Sequence, residues 1–116
     1  MAAQEKEVQR LEAGLIKDKS VKEDSYTVKA QYCEHLLKYG LRDTASVLEY
    51  CKAARNYLKT RMEYFRELMS TQEDNARAQC FSLYRTSRNE YSAMNDVALG
   101  HLPPDELESG DDKRGK

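Results

Sequence analysis

The residues of this chain best suited to metal or nucleophilic chemistry are two histidines and three cysteines, and their spacing supports neither use. His35 and His101 are far apart, and neither has a second histidine, a cysteine or an acid at a spacing that would hold a metal ion. Cys33, Glu34 and His35 are adjacent in sequence. A nucleophile and its base meet in space rather than by adjacency, however, and within one helical turn Cys33 and His35 point in different directions. Cys33, Cys51 and Cys80 match no zinc pattern and no disulfide framework, so they read as reduced, buried thiols. The five glycines are scattered, which leaves no loop to cradle a phosphate. The expectation is a non-enzyme with no cofactor, no metal and no small-molecule substrate.

Binding chemistry is better represented. If residues 44–69 form one helix, Lys52, Arg55, Lys59 and Arg66 gather on one flank and Glu49, Asn56, Glu63 and Glu67 on the other. The basic flank reads either as a contact for phosphate or lipid, or as a solvated face in which Lys59 and Glu63 form an i,i+4 pair. Aromatics interleave with bases from Lys52 to Arg66, but they share the apolar arc of the helix and acids match the bases in number. That arrangement argues against a nucleic-acid platform. Arg61 points into the middle of the apolar arc. There it must pair with a carboxylate from another helix, reach a rim, or mark a surface covered by a second subunit.

The elements that position these groups are announced by the tyrosines. Seven of the eight fall in seven-residue steps: Tyr32 and Tyr39; Tyr50, Tyr57 and Tyr64; Tyr84 and Tyr91. Two helical turns return a side chain to nearly the same face, so three segments are predicted helical, each with a tyrosine seam. Around them the pattern predicts helices over residues 3–18, 21–39, 44–69 and 72–99. The first has a thin stripe of Val8, Leu11, Leu15 and Ile16. Ser20 and Glu23 read as a capping box for the second, with Gly40 as its stop. Asp43 reads as the cap of the third. Ser70 to Glu73 repeats the capping-box pattern before the fourth, with Thr71 and Asp74 as a competing pair. Gly100 and then Pro103 and Pro104 end the last helix.

Bulk composition agrees with that reading. In 116 residues, 34% charged and 40% hydrophobic with only five glycines and two prolines, the mix suits surface-laced helices and argues against a sheet. The expected fold is all-α: three or four antiparallel helices in residues 1–102, closed as a bundle or laid out as a hairpin array, followed by a disordered polar tail over 103–116. The net charge of −1 exerts no global pull toward nucleic acid. No signal-peptide core and no membrane-length apolar run stand out, which points to the cytoplasm or nucleus.

Tyr50-Cys51-Lys52-Ala53-Ala54-Arg55-Asn56-Tyr57-Leu58-Lys59-Thr60-Arg61, continuing to Phe65, Glu67 and Leu68, resembles the middle helix of the BAR modules of sorting nexins. That resemblance implies a curved helical dimer with a basic surface on anionic membrane. Glu34, Leu36, Gly40, Thr44, Ala45 and Leu48, with Tyr32 ahead of them, sit as in the LisH dimerisation motif. Tyr32, Leu36, Gly40 and Ala45 are also similar to the helical hairpin of tetratricopeptide and proteasome-lid or signalosome subunits. All three resemblances imply helical assembly. The expected function is a scaffold module that self-associates or binds partner helices through Tyr50, Tyr57, Arg61, Tyr64 and Phe65, with Tyr84, Tyr91 and Met94 as further contacts. Its rival is a peripheral membrane module that uses Lys52, Arg55, Lys59 and Arg66.

Overall fold

The computed structural model describes residues 2–17, 19–22 and 25–101, and among them every regular element is helical. The predicted tail over 103–116 lies outside the described residues. Four long helices are α1 (Ala2–Leu15), α3 (Tyr26–Lys38), α4 (Thr44–Met69) and α5 (Asp74–Gly100), and a single short turn, α2 (Lys19–Lys22), joins the first pair.

Local chemistry explains most boundaries. The Asp43 carboxylate accepts the Ser46 N–H at 3.0 Å, the cap expected for α4. Hydrogen bonding from the Ser46 side chain, followed by that backbone bond, favours the charged form and holds the carboxyl below its ordinary range. Gly40 takes φ +62° beyond the end of α3, where Leu41 N–H donates to Leu36 O at 2.9 Å and Gly40 N–H to Leu37 O at 3.4 Å. This double bond pattern satisfies the last carbonyls of the helix and needs a left-handed residue.

Two starts differ from expectation. Ser20 lies within α2, and the long second helix begins at Tyr26 instead of residue 21. The Ser25 side chain caps it by accepting the Val28 N–H. Glu90, 64 residues further along, adds a second cap by accepting the Tyr26 N–H at 2.9 Å, a partner only the folded chain provides. At the α4–α5 turn the hydroxyls act backwards. Ser70 Oγ donates to Glu67 O at 2.6 Å and Thr71 Oγ1 to Leu68 O at 2.9 Å, so they close α4 and do not open α5. The cap residue of α5 is Glu73, without a side-chain bond, and the chain turns through Asp74 at φ +54°.

α4 and α5 form a long antiparallel hairpin. Contacts fix the register of the helices laid on it. Glu5 and Glu12 of α1 meet Tyr57 and Tyr50 of α4, so α1 runs antiparallel along α4. Tyr26 and Glu34 of α3 meet Glu90 and His101 of α5, so α3 runs parallel to α5. The core lies where all four overlap, around Val8, Ile16, Cys33, Val47, Cys51, Leu58 and Met94. At about 1.5 Å per residue α1 and α3 reach only about 20 Å, whereas α4 and α5 reach about 40 Å. The cover therefore stops near Tyr57 on α4 and Glu90 on α5, and the rest of the hairpin continues as a two-helix arm.

Candidate functional site

Beneath the covered half lies a buried polar cluster. Glu12 Oε1 accepts from Lys29 Nζ at 3.1 Å and from the Tyr50 hydroxyl at 3.0 Å, and all three side chains are buried. The Lys29 ammonium also sits 4.6 Å from the centre of the Tyr26 ring. Burial, reinforced by the Glu12 charge, pushes the Tyr50 phenol well above its usual range, so it stays protonated as a donor. Burial also raises the Tyr26 phenol, again with Glu12 adding to it. A charged pair held this way ties α1, α3 and α4 together in one register. The cluster is enclosed, and its role is to hold the helices.

The groups considered for catalysis are dispersed. Cys33 and Cys51 are fully buried, and the hydrogen bond between their thiols, followed by burial, raises Cys33. His35 is exposed, with its ring tilted against that of Tyr39 at 4.8 Å between centres. His101 Nε2 lies 3.1 Å from Glu34, where it ties the end of α5 to α3. No group of three histidine, cysteine or acidic residues is arranged to hold a metal among the described residues.

The residues expected at an interface do not share one surface: Tyr84 and Tyr91 line a separate cleft, and the rest change from buried to exposed along the hairpin. Tyr50, Tyr57 and Met94 are buried in the chain's own core. Their seam is used internally, because α1 and α3 reach that far. Arg61 stands at the boundary, half-buried, with its guanidinium 5.8 Å from the Phe65 ring centre and beside the Tyr57 hydroxyl that Glu5 also approaches. Burial raises the Tyr57 phenol while Arg61 partly offsets it. Beyond that boundary Tyr64 is 48% exposed, with the Phe65 ring 5.3 Å away and half-buried. By helical angle, Tyr64, Phe65 and Leu68 continue the side of α4 that α1 and α3 cover lower down. Leu83, 41% exposed, likewise continues the α5 side that carries Ser87, Glu90 and Met94. This is one apolar strip, buried along half its length and half-buried to exposed along the rest.

On the opposite side, Lys59 and Arg66 line a cleft of about 160 Å³ between α4 and α5 with Met62, Glu63, Tyr84 and Tyr91. Arg55 is turned to α5, where Nη1 donates to Asn95 Oδ1 at 3.4 Å. Lys52 is half-buried nearer the covered end. The predicted basic stripe is thus divided, with Lys59 and Arg66 exposed in one cleft that also holds an acid.

Sequence reasoning passed over three features. Glu12 and Lys29 lie on the apolar stripes of their helices, Glu12 midway between Val8 and Ile16, and a charge at such a position signals a buried partner. Glu90 gives no comparable signal. The third is α5 between Asn75 and Asn89, which holds Arg77, Arg85 and Arg88 and no acid. No helix among the described residues is long and apolar enough to cross a membrane. Comparison with protein families, curated proteins and solved structures returns no match.

Proposed function

We propose that the protein is a non-catalytic helical assembly module whose partner is a second copy of itself, joined arm to arm. The observation that carries this reading is the step in the molecule: the α1–α3 layer ends partway along the α4–α5 hairpin, and the strip it covers continues as exposed Tyr64 and Leu83 with half-buried Phe65 and Leu68.

The recess left above the arm is about 15–20 Å long, two helices wide and one helix deep. Those are the dimensions of the arm itself. Two copies related by a dyad can each lay an arm into the other's recess, completing four helices along the joint as α1 and α3 do in the body. Charge supports the fit. The arm tip carries Glu67, Glu73 and Asp74, all exposed, and in the joint it abuts the N-terminal ends of α1 and α3, where the helix dipoles are positive. A joint confined to so short a stretch of two helices is small for a specific interface, so the dimer is expected to be concentration-dependent.

Sedimentation equilibrium over a wide concentration range tests this. The wild-type chain is expected to show a monomer–dimer equilibrium that Tyr64→Arg abolishes without lowering the monomer's melting temperature. Tyr39→Arg, at an exposed site remote from the arm, should leave the equilibrium unchanged. A strict monomer at the highest concentration would overturn the proposal.

A further inference from the structure

The outer side of α5 suits a different ligand, and it is independent of the joint because it faces away from the recess. Arg77, Phe81 and Arg85 recur at four-residue steps, so they lie in line over about 12 Å, with Arg88 beside them. All four are exposed, and Phe81 is 48% so. Lone exposed apolar residues need no explanation, but this ring is dressed: the Arg85 guanidinium carbon lies 5.9 Å from its centre, and that of Arg88 lies 5.9 Å from the centre of Tyr84. A cleft of about 220 Å³ opens here, lined by Phe81, Ser82, Arg85, Thr86 and Asn89. It combines a flat ring, a planar cation and neutral hydroxyl and amide groups, with no acid in its wall.

We infer that this face binds single-stranded nucleic acid, with a base entering the Phe81–Arg85 cleft and the neighbouring phosphates resting on Arg77 and Arg88. A base has a π-face to stack on Phe81 or Arg85 and edge donors and acceptors for Ser82, Thr86 and Asn89. A lipid headgroup uses the arginines but has no need of a ring flanked by neutral hydrogen-bonding groups. A membrane surface would also ask for more inserting apolar residues than one phenylalanine. The acid-free run from Asn75 to Asn89 supplies local attraction although the whole chain carries −1. Glu63 lines the adjoining cleft and Asp74 begins the helix, so the strand's path follows the Phe81 side.

The test is fluorescence anisotropy of end-labelled oligouridylate and oligothymidylate with the full chain at low and moderate salt, beside co-sedimentation with phosphatidylserine vesicles. Binding is expected to weaken with salt along a log–log slope of about −1.4, as for the two phosphates neutralised by Arg77 and Arg88 on a single strand. Phe81→Ala should weaken it about tenfold at either salt, a stacking effect. Arg85→Glu combined with Arg88→Glu should abolish it, while Arg10→Glu on α1 leaves it unchanged. Circular dichroism checks that each variant keeps its helix content. Absence of oligonucleotide binding at low salt, binding indifferent to Phe81→Ala, or sedimentation with vesicles in place of oligonucleotide binding would each overturn the inference.

Discussion

Glu12 shows how much one buried side chain can decide. Its carboxylate takes hydrogen bonds from Lys29 and Tyr50 in a region closed to water, and removal of one member of a buried ion pair leaves the other charge stranded. Glu12→Ala is expected to destabilise the fold by about 3–5 kcal/mol, measured by urea denaturation. Glu12→Met with Lys29→Met, which removes both charges and keeps the volume, should recover most of that loss. If the double variant were no better than the single one, the pair would not be acting as a pair. Ser87 makes the opposite point. Its hydroxyl is fully buried with no hydrogen-bond partner among the described residues, a tolerated imperfection.

Among the elements, the α3–α4 corner is the most sharply specified. Gly40 adopts a left-handed conformation, and a Cβ added there meets nothing within 4 Å, so the backbone alone sets the cost of a side chain. Gly40→Ala is expected to lower stability by about 1 kcal/mol, seen as a lower melting temperature with unchanged helix content at low temperature. A neutral result would mean that the corner relaxes into another turn. The Asp43 cap two residues beyond Leu41 makes the same corner legible from sequence, because both of its devices are local. The opening of α3 was not legible. A carboxylate from α5 helps to place it, and nothing near Ser20 or Ser25 announces Glu90.

At the scale of the whole molecule, stability is expected to be graded along the hairpin. The half under α1 and α3 has apolar neighbours on several sides, whereas the arm has only its own two helices. In dilute solution the amides of residues 62–69 and 75–86 should therefore exchange with solvent faster than those of 47–58 and 90–98, as read by hydrogen-exchange mass spectrometry. At high concentration the arm should gain protection while the covered half stays as it was. Uniform protection at every concentration would contradict both the grading and the joint.

Sequence by itself determined the helical class, the long third segment, the Gly40 and Asp43 corner and the apolar face of α4. These rest on short-range periodicity and on backbone groups satisfied by near neighbours. Only the tertiary structure decided which stretch of that face is available. Tyr50, Tyr57 and Tyr64 are equivalent in spacing, yet the first two are buried and the third is bare, because the length and register of α1 and α3 set where the cover ends. That register is held by Glu12, Lys29 and Glu90, whose partners are 17 to 64 residues away along the chain. Long-range pairings of this kind leave no periodic trace, so a repeating pattern can show a face without showing what covers it.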